Sequence, residues 1–205
     1  MVDTPGFADT NMSDTEVLGR ISSWMASRYT EGALLSGIVY LHPITHNRMD
    51  GPSTTNIRMF RKLCGDKTMR NVILATTMWP TPEQGTDDLL EGRAKDLERE
   101  FWSEMIDNGS KIHRFDNTKE SASKIISELI DKRPRKLNIQ EELVDKHLSL
   151  EQTEAGACVD AELQRLRREH EEELEAIRSD MQDMQLGECH LTSWPVRPLL
   201  TLDRQ

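Results

Sequence analysis

Residues 34–41, LLSGIVYL, and 71–77, NVILATT, decide how this chain is read. Each is a short apolar run rich in β-branched residues, without polar alternation. Such runs suit strands covered on both faces. Between them, Ile57, Phe60, Leu63 and Cys64 fall on one face of a helix that Ser53 can cap and Gly65 can stop. Strand, helix and strand in succession imply parallel pairing through a helical crossover. The fold class expected is α/β, a parallel sheet with flanking helices. The competing reading is a helical protein with two buried apolar turns.

Similar signals continue on either side. Ser13 and Glu16 form a capping box, after which Val17, Ile21, Trp24 and Met25 recur at helical spacing up to Gly32. Beyond the second run, Leu90, Ala94, Leu97, Phe101 and Met105 keep register for one long helix ending at Asn108-Gly109. Lys111–Phe115 can add a short edge strand. Asn117 and Glu120 offer a looser capping box to a helix carrying Ala122, Ile125, Ile126, Leu129 and Ile130.

Charge then divides the chain. It has 205 residues, with 26 Lys+Arg against 36 Asp+Glu, a net of −10. Between Glu141 and Leu186 stand 14 acids and 5 bases, so nearly all the excess lies there. The run Asp131-Lys132-Arg133-Pro134-Arg135-Lys136 marks the boundary, because proline ends a helix and bases suit its C-terminus. Residues 138–186 read as an acidic helical segment. Val159, Leu163, Leu166, His170, Leu174, Ile177, Met181 and Met184 trace a heptad-like seam there, and 187–205 read as an irregular tail. Self-association or a helical partner through 159–184 is expected. The acidic balance disfavours nucleic acid. No apolar run reaches the ~18 residues of a membrane span. Three dispersed cysteines and an N-terminus without a signal core fit a cytoplasmic protein.

Three places bear on chemistry. Asp3-Thr4-Pro5-Gly6 is a D-x-x-G turn, in which a carboxylate can hold Mg²⁺ through water and a glycine admits a phosphate to the backbone N–H. Thr76-Thr77-Met78-Trp79-Pro80 leaves a strand where GTPases read guanine, but Pro80 stands in place of the base-binding carboxylate. A P-loop needs a Gly-Lys pair inside G-x-x-x-x-G-K-[ST], and the chain contains no Gly-Lys pair. His42 and His46 are four apart, but Pro43 between them breaks the helical geometry a metal pair would use. Cys64 reads as core.

Taken in order, DTPGFADT, SDTEVLGRISSW, GIVYLHPITHNRM, NIRMFRKLCGD, NVILATTMW and RFDNTKESASKII resemble a fungal group of septin-like, immunity-associated-type GTPase domain proteins. The resemblance runs from Val2 to about Gln185. It implies a Ras-like G domain over 1–135 that starts at its Walker B strand, cut to Met1-Val2 and lacking the P-loop. GTP and Mg²⁺ are the implied cofactors, with Asp3 and Gly6 as the Walker B element. It places Phe115–Thr118, including Asp116 and Asn117, near the base-side edge with Thr76 and Thr77. It implies that GIVYLHPITHNRM occupies a box used for dimer contacts in related GTPases. In that order of strands the missing first strand lies beside the Leu34 strand. The expected function is thus that of a GTP-binding family member with impaired nucleotide binding. The alternative is a non-catalytic coiled-coil scaffold.

Overall fold

The computed structural model describes residues 1–7, 12–45, 51–80 and 88–159, with 174, 175, 177, 178 and 181 beyond them. Helix α1 spans Asp14–Thr30, strand β1 Ile38–Pro43, helix α2 Gly51–Cys64 and strand β2 Val72–Thr77. Helices α3 (Asp88–Asp96) and α4 (Ser103–Asp107) lead to strand β3 (Lys111–Arg114) and helix α5 (Lys119–Ile130). A short helix α6 follows at Asn138–Gln140. The strands form one parallel sheet in the order β1-β2-β3, with Ile38 opposite Val72 and Ile73 opposite Lys111.

The central strand explains the layers. Val72, Ile73, Leu74 and Ala75 are all essentially inaccessible to solvent. Val72 and Leu74 point into the larger core with Val17 and Leu18 of α1 and Met59 and Leu63 of α2. Ile73 and Ala75 point the other way, onto Ile125 and Leu129 of α5. A strand covered on both faces has no use for polar alternation, so the apolar run at 71–77 was a sound signal. The α/β reading with helices flanking a parallel sheet holds.

The edge strand departs from expectation. The sequence places a doubly buried strand over 34–41, whereas pairing begins at Ile38 and runs to Pro43. Leu34 and Leu41 are exposed, and only His42 of the strand is fully buried. Among the described residues, β1 pairs with a strand on one side only. Leu35 makes an isolated antiparallel bridge to Arg135 instead of extending the ladder. The chain is pressed tightly here. A methyl added at Gly37 would stand 2.5 Å from Leu129 Cδ2 and 2.7 Å from the Asn71 carbonyl oxygen.

Helix ends follow the sequence closely. The Ser13 side chain accepts the Glu16 N–H at 3.3 Å, while the Glu16 carboxylate turns to Arg20 rather than closing the box. Gly32, Gly65 and Gly109 each take positive φ just past a helix, the left-handed stop that costs glycine least. Two caps move. Helix α2 begins at Gly51, so Ser53 lies inside it. Helix α5 is capped by Thr118, whose hydroxyl accepts the Ser121 N–H at 3.1 Å; Asn117 instead occupies the left-handed region at φ 58°. The single long helix expected through Leu90, Ala94, Leu97, Phe101 and Met105 to Asn108-Gly109 is broken by a π-turn at Leu97–Phe101, next to which Trp102 sits in the core. Met1-Val2 form no strand in the described structure.

Residues from 138 onward do not form one helix. Helix α6 gives way to a π-turn at Glu141–Asp145, His147 at φ 54°, and a 3-10 turn at Leu150–Gln152 before helical residues resume at 154–159. This stretch belongs to the main core. Gln140 is fully buried, its Nε2 donating to the Met25 carbonyl and its Oε1 accepting the Leu137 N–H, both at 3.0 Å. Ile139, Ala155 and Val159 are buried with it, so Val159 is a core residue and not the first position of an exposed seam. One compact unit spans Met1–Glu162 and a second Leu163–Gln205. Seam residues Leu163, Leu166, His170 and Met184 and the tail 187–205 lie outside the described residues. No helix among the described residues is long and apolar enough to cross a membrane.

Gly37→Ala should lower stability by about 1–3 kcal/mol, the usual range for overpacking a closed site. Urea unfolding followed by circular dichroism measures it. A midpoint equal to wild type would show that the β1 approach is not close-packed.

Candidate functional site

Parallel strands deliver their exit loops to one rim, where α/β sheets hold their ligands. Here β1, β2 and β3 end together. Ile44 N–H donates to the Thr77 carbonyl at 2.9 Å, and Phe115 N–H to the Thr76 carbonyl at 2.8 Å. Of the residues singled out by sequence, this rim unites Thr76, Thr77, Asp116 and Asn117.

The rim is polar, but its groups are engaged with one another. Thr76 is buried, and its hydroxyl accepts the Trp79 indole N–H at 2.9 Å. The Arg114 guanidinium lies 4.0 Å from the Trp79 ring centroid, a cation–π contact. Its Nε donates to Asp116 Oδ1 at 2.6 Å, and its Nη1 to Glu91 Oε1 at 3.0 Å. Asp116 N–H donates to Ser121 Oγ at 3.3 Å, joining the loop to the first turn of α5. On the β1 side, Arg93 Nη1 donates to the carbonyl of Thr45 at 3.3 Å. Met78 has φ 59° and is largely exposed. Trp79 stands in the strand exit quoted from the sequence, but the sequence reading assigns it no role, and it assigns none to Arg114. The signal was a tryptophan three residues past a strand threonine, which places the indole back over the strand end.

Asp3 and Gly6 lie in exposed coil. The Asp3 carboxylate accepts the Thr4 N–H at 3.0 Å. A Cβ built on Gly6 meets no atom within 4 Å, so no wall presses on this glycine as a phosphate cradle would. Among the described residues no three His, Cys, Asp or Glu side chains converge on a possible metal position. His42 is buried edge-on to Trp102 at 6.0 Å between centroids, and His46 lies outside the described residues. Asp116, the acid nearest the base-side edge, is already held by Arg114. Among the described residues these positions therefore form no ready cradle for GTP–Mg²⁺, and no nucleotide step is derived from them.

One acid–imidazole pair escaped the sequence reading. His113 Nε2 of β3 stands 3.0 Å from Glu128 Oε1 of α5, and Lys111 Nζ donates to Glu128 Oε2 at 2.6 Å. The residues are 15 and 17 positions apart, a spacing that means nothing until α5 folds back along β3. The carboxylate is shared between an ammonium and an imidazole, which fastens the helix to the edge strand.

No protein-family model matches the chain, and no curated protein matches it in sequence.

The Lys111 hydrogen bond, aided by His113, holds the Glu128 carboxyl below its ordinary value of 4.5. A depressed carboxyl contributes stability that is present above its unfolded value and lost as pH falls through the folded one. Glu128→Gln should therefore cost roughly 0.5–1 kcal/mol at neutral pH. The gap from wild type should close as pH drops well below 4.5. Thermal melts across that pH range test it; a gap independent of pH would mean that packing, not charge, sets the effect.

Proposed function

We propose that this chain is a G-domain-like protein that works by assembly through its C-terminal helical segment and does not depend on nucleotide hydrolysis. One observation carries the reading. Leu174, Ile177 and Met181, spaced by three and four along helical residues, are 52%, 55% and 56% exposed. Three large apolar side chains in one stripe lose contact with water when the stripe packs against another helix. The acid-rich flanks of the same segment keep it in solution until it pairs. The α/β unit supports the resemblance to G domains in its parallel sheet and rim. The engagement of Asp116 by Arg114 weighs against an open base site.

Energetics set the strength. Burying each large apolar residue is worth roughly 1.5–3 kcal/mol, against an association cost of ~4–15 kcal/mol. A seam of this length gives a weak dimer, with a dissociation constant of ~1–10 μM.

Sedimentation at ~100 μM, well above that range, should show wild type as a dimer and Leu174→Glu with Ile177→Glu as a monomer. Both changes keep helix propensity while removing the stripe. Identical monomers would overturn assembly through this segment. In parallel, a fluorescent GTP analogue with Mg²⁺ should show no saturable binding; micromolar binding would restore the nucleotide reading.

A further inference from the structure

At the opposite end of the sheet from the rim lies an open groove of about 410 Å³. Its lining includes Lys67, Thr68, Arg133, Arg135, Lys136 and Glu141. Four basic residues and one acidic residue thus line one space, in a chain whose acids outnumber its bases by ten. The carboxylate is occupied: Glu141 meets Lys146 at 3.1 Å and Lys136 at 3.5 Å. Lys136 is also held by Asp145 at 2.7 Å. Among the described residues, Lys67, Arg133 and Arg135 form no ion pair.

The groove is rigidly made. Asn71 is buried, and its Nδ2 donates to the Ser36 carbonyl at 2.6 Å and to the Arg133 carbonyl at 3.0 Å. Arg135 N–H donates to the Leu35 carbonyl at 3.1 Å. Pro134 removes backbone freedom between the two arginines, and Leu137 anchors the far end in the core. Thr68 Oγ1 donates to the Cys64 carbonyl at 2.7 Å, fixing the turn that carries Lys67. A helix C-terminus attracts bases, and Lys132, whose ammonium donates to the Arg70 carbonyl, is explained that way. Arg133 and Arg135 lie past that helix, and Lys67 comes from a different element.

We propose that this groove binds a small ligand carrying clustered phosphates. Like charges gathered on a fixed backbone repel until an anion neutralises them. Two guanidinium forks match phosphate oxygens in bidentate fashion, with lysine adding a point charge. The volume suits a compact head of two or three phosphates and falls in the range of small-molecule sites. The groove belongs to the Met1–Glu162 unit and lies at the other end of the sheet from the carboxyl rim, so this inference does not rest on the assembly reading.

Calorimetric titration of the full chain with tripolyphosphate tests it. Vesicles of phosphatidylcholine, with and without a few per cent of phosphatidylinositol 4,5-bisphosphate, form the second arm. One-site binding of tripolyphosphate assigns a free ligand. Binding confined to the phosphoinositide vesicles assigns the same phosphate chemistry to a lipid headgroup. Arg133→Gln and Arg135→Gln should each weaken binding about tenfold, the loss of one charge-assisted contact. Arg20→Gln, on the exposed face of α1, should leave it unchanged. Lys67→Gln alters a side chain with no described hydrogen bond and should also weaken binding while leaving the melting temperature intact. No saturable binding in either arm, or equal loss in Arg20→Gln and the groove variants, overturns the proposal.

Discussion

The central strand β2 is buried on both faces and paired on both edges, and most of the architecture follows from satisfying it. Its apolar side chains require a helix layer on each side, supplied by α1 and α2 on one face and α5 on the other. Its backbone requires neighbours, supplied by β1 and β3. Its amino end is where the ladder has not yet begun and buried carbonyls need donors. Asn71, the residue before the strand, gives both amide hydrogens to carbonyls of two other segments, Ser36 before β1 and Arg133 after α5. One buried side chain thereby joins the entry of the edge strand, the start of the central strand and the exit of the last flanking helix. Replacing such a donor would leave two part-buried acceptors without this partner.

The same constraint explains which parts of the fold were legible in the sequence. NVILATT reads correctly because a doubly covered strand is apolar throughout. LLSGIVYL misleads because only part of its apolar content serves the sheet. Leu34 lies in the approach, Leu41 faces water, and the strand continues into His42 and Pro43. Glycine stops were legible because positive φ at Gly32, Gly65 and Gly109 is a local property. The break at Leu97–Phe101 was not, since the residues keep helical spacing and only the seating of Trp102 selects a π-turn. Val159 fits the heptad by spacing but is claimed by the core, because periodicity records which side is apolar and not what covers it.

The rim was half legible. Strand exits locate Thr76, Thr77, Asp116 and Asn117 at one end because parallel strands must all leave there. Their engagement was hidden, because it depends on Arg114 reaching Trp79 across the register of β2 and β3 and on Glu91 arriving from α3. A resemblance in linear motifs carries no information about whether a carboxylate is already held. Here Asp116 is held at 2.6 Å, and the rim is better described as a closed polar network than as an open receptor.

Polar groups that satisfy one another stiffen a fold, whereas charges left unmatched on a rigid frame mark where a molecule has been kept from its own stability optimum. By that criterion the two ends of this sheet differ in kind. At the carboxyl end, arginine, aspartate, threonine and indole close on themselves. At the amino end, Asn71 fixes the backbone of Arg133, while Arg133, Arg135 and Lys67 line one groove and, among the described residues, form no ion pair. Nothing in the folding of β2 demands three cations there; the clamp needs only backbone carbonyls, and uncharged side chains would serve it as well. The placement of guanidinium groups on a pinned loop is therefore a feature of this unit that the packing of β2 does not explain, and it is the ground on which the binding proposal stands.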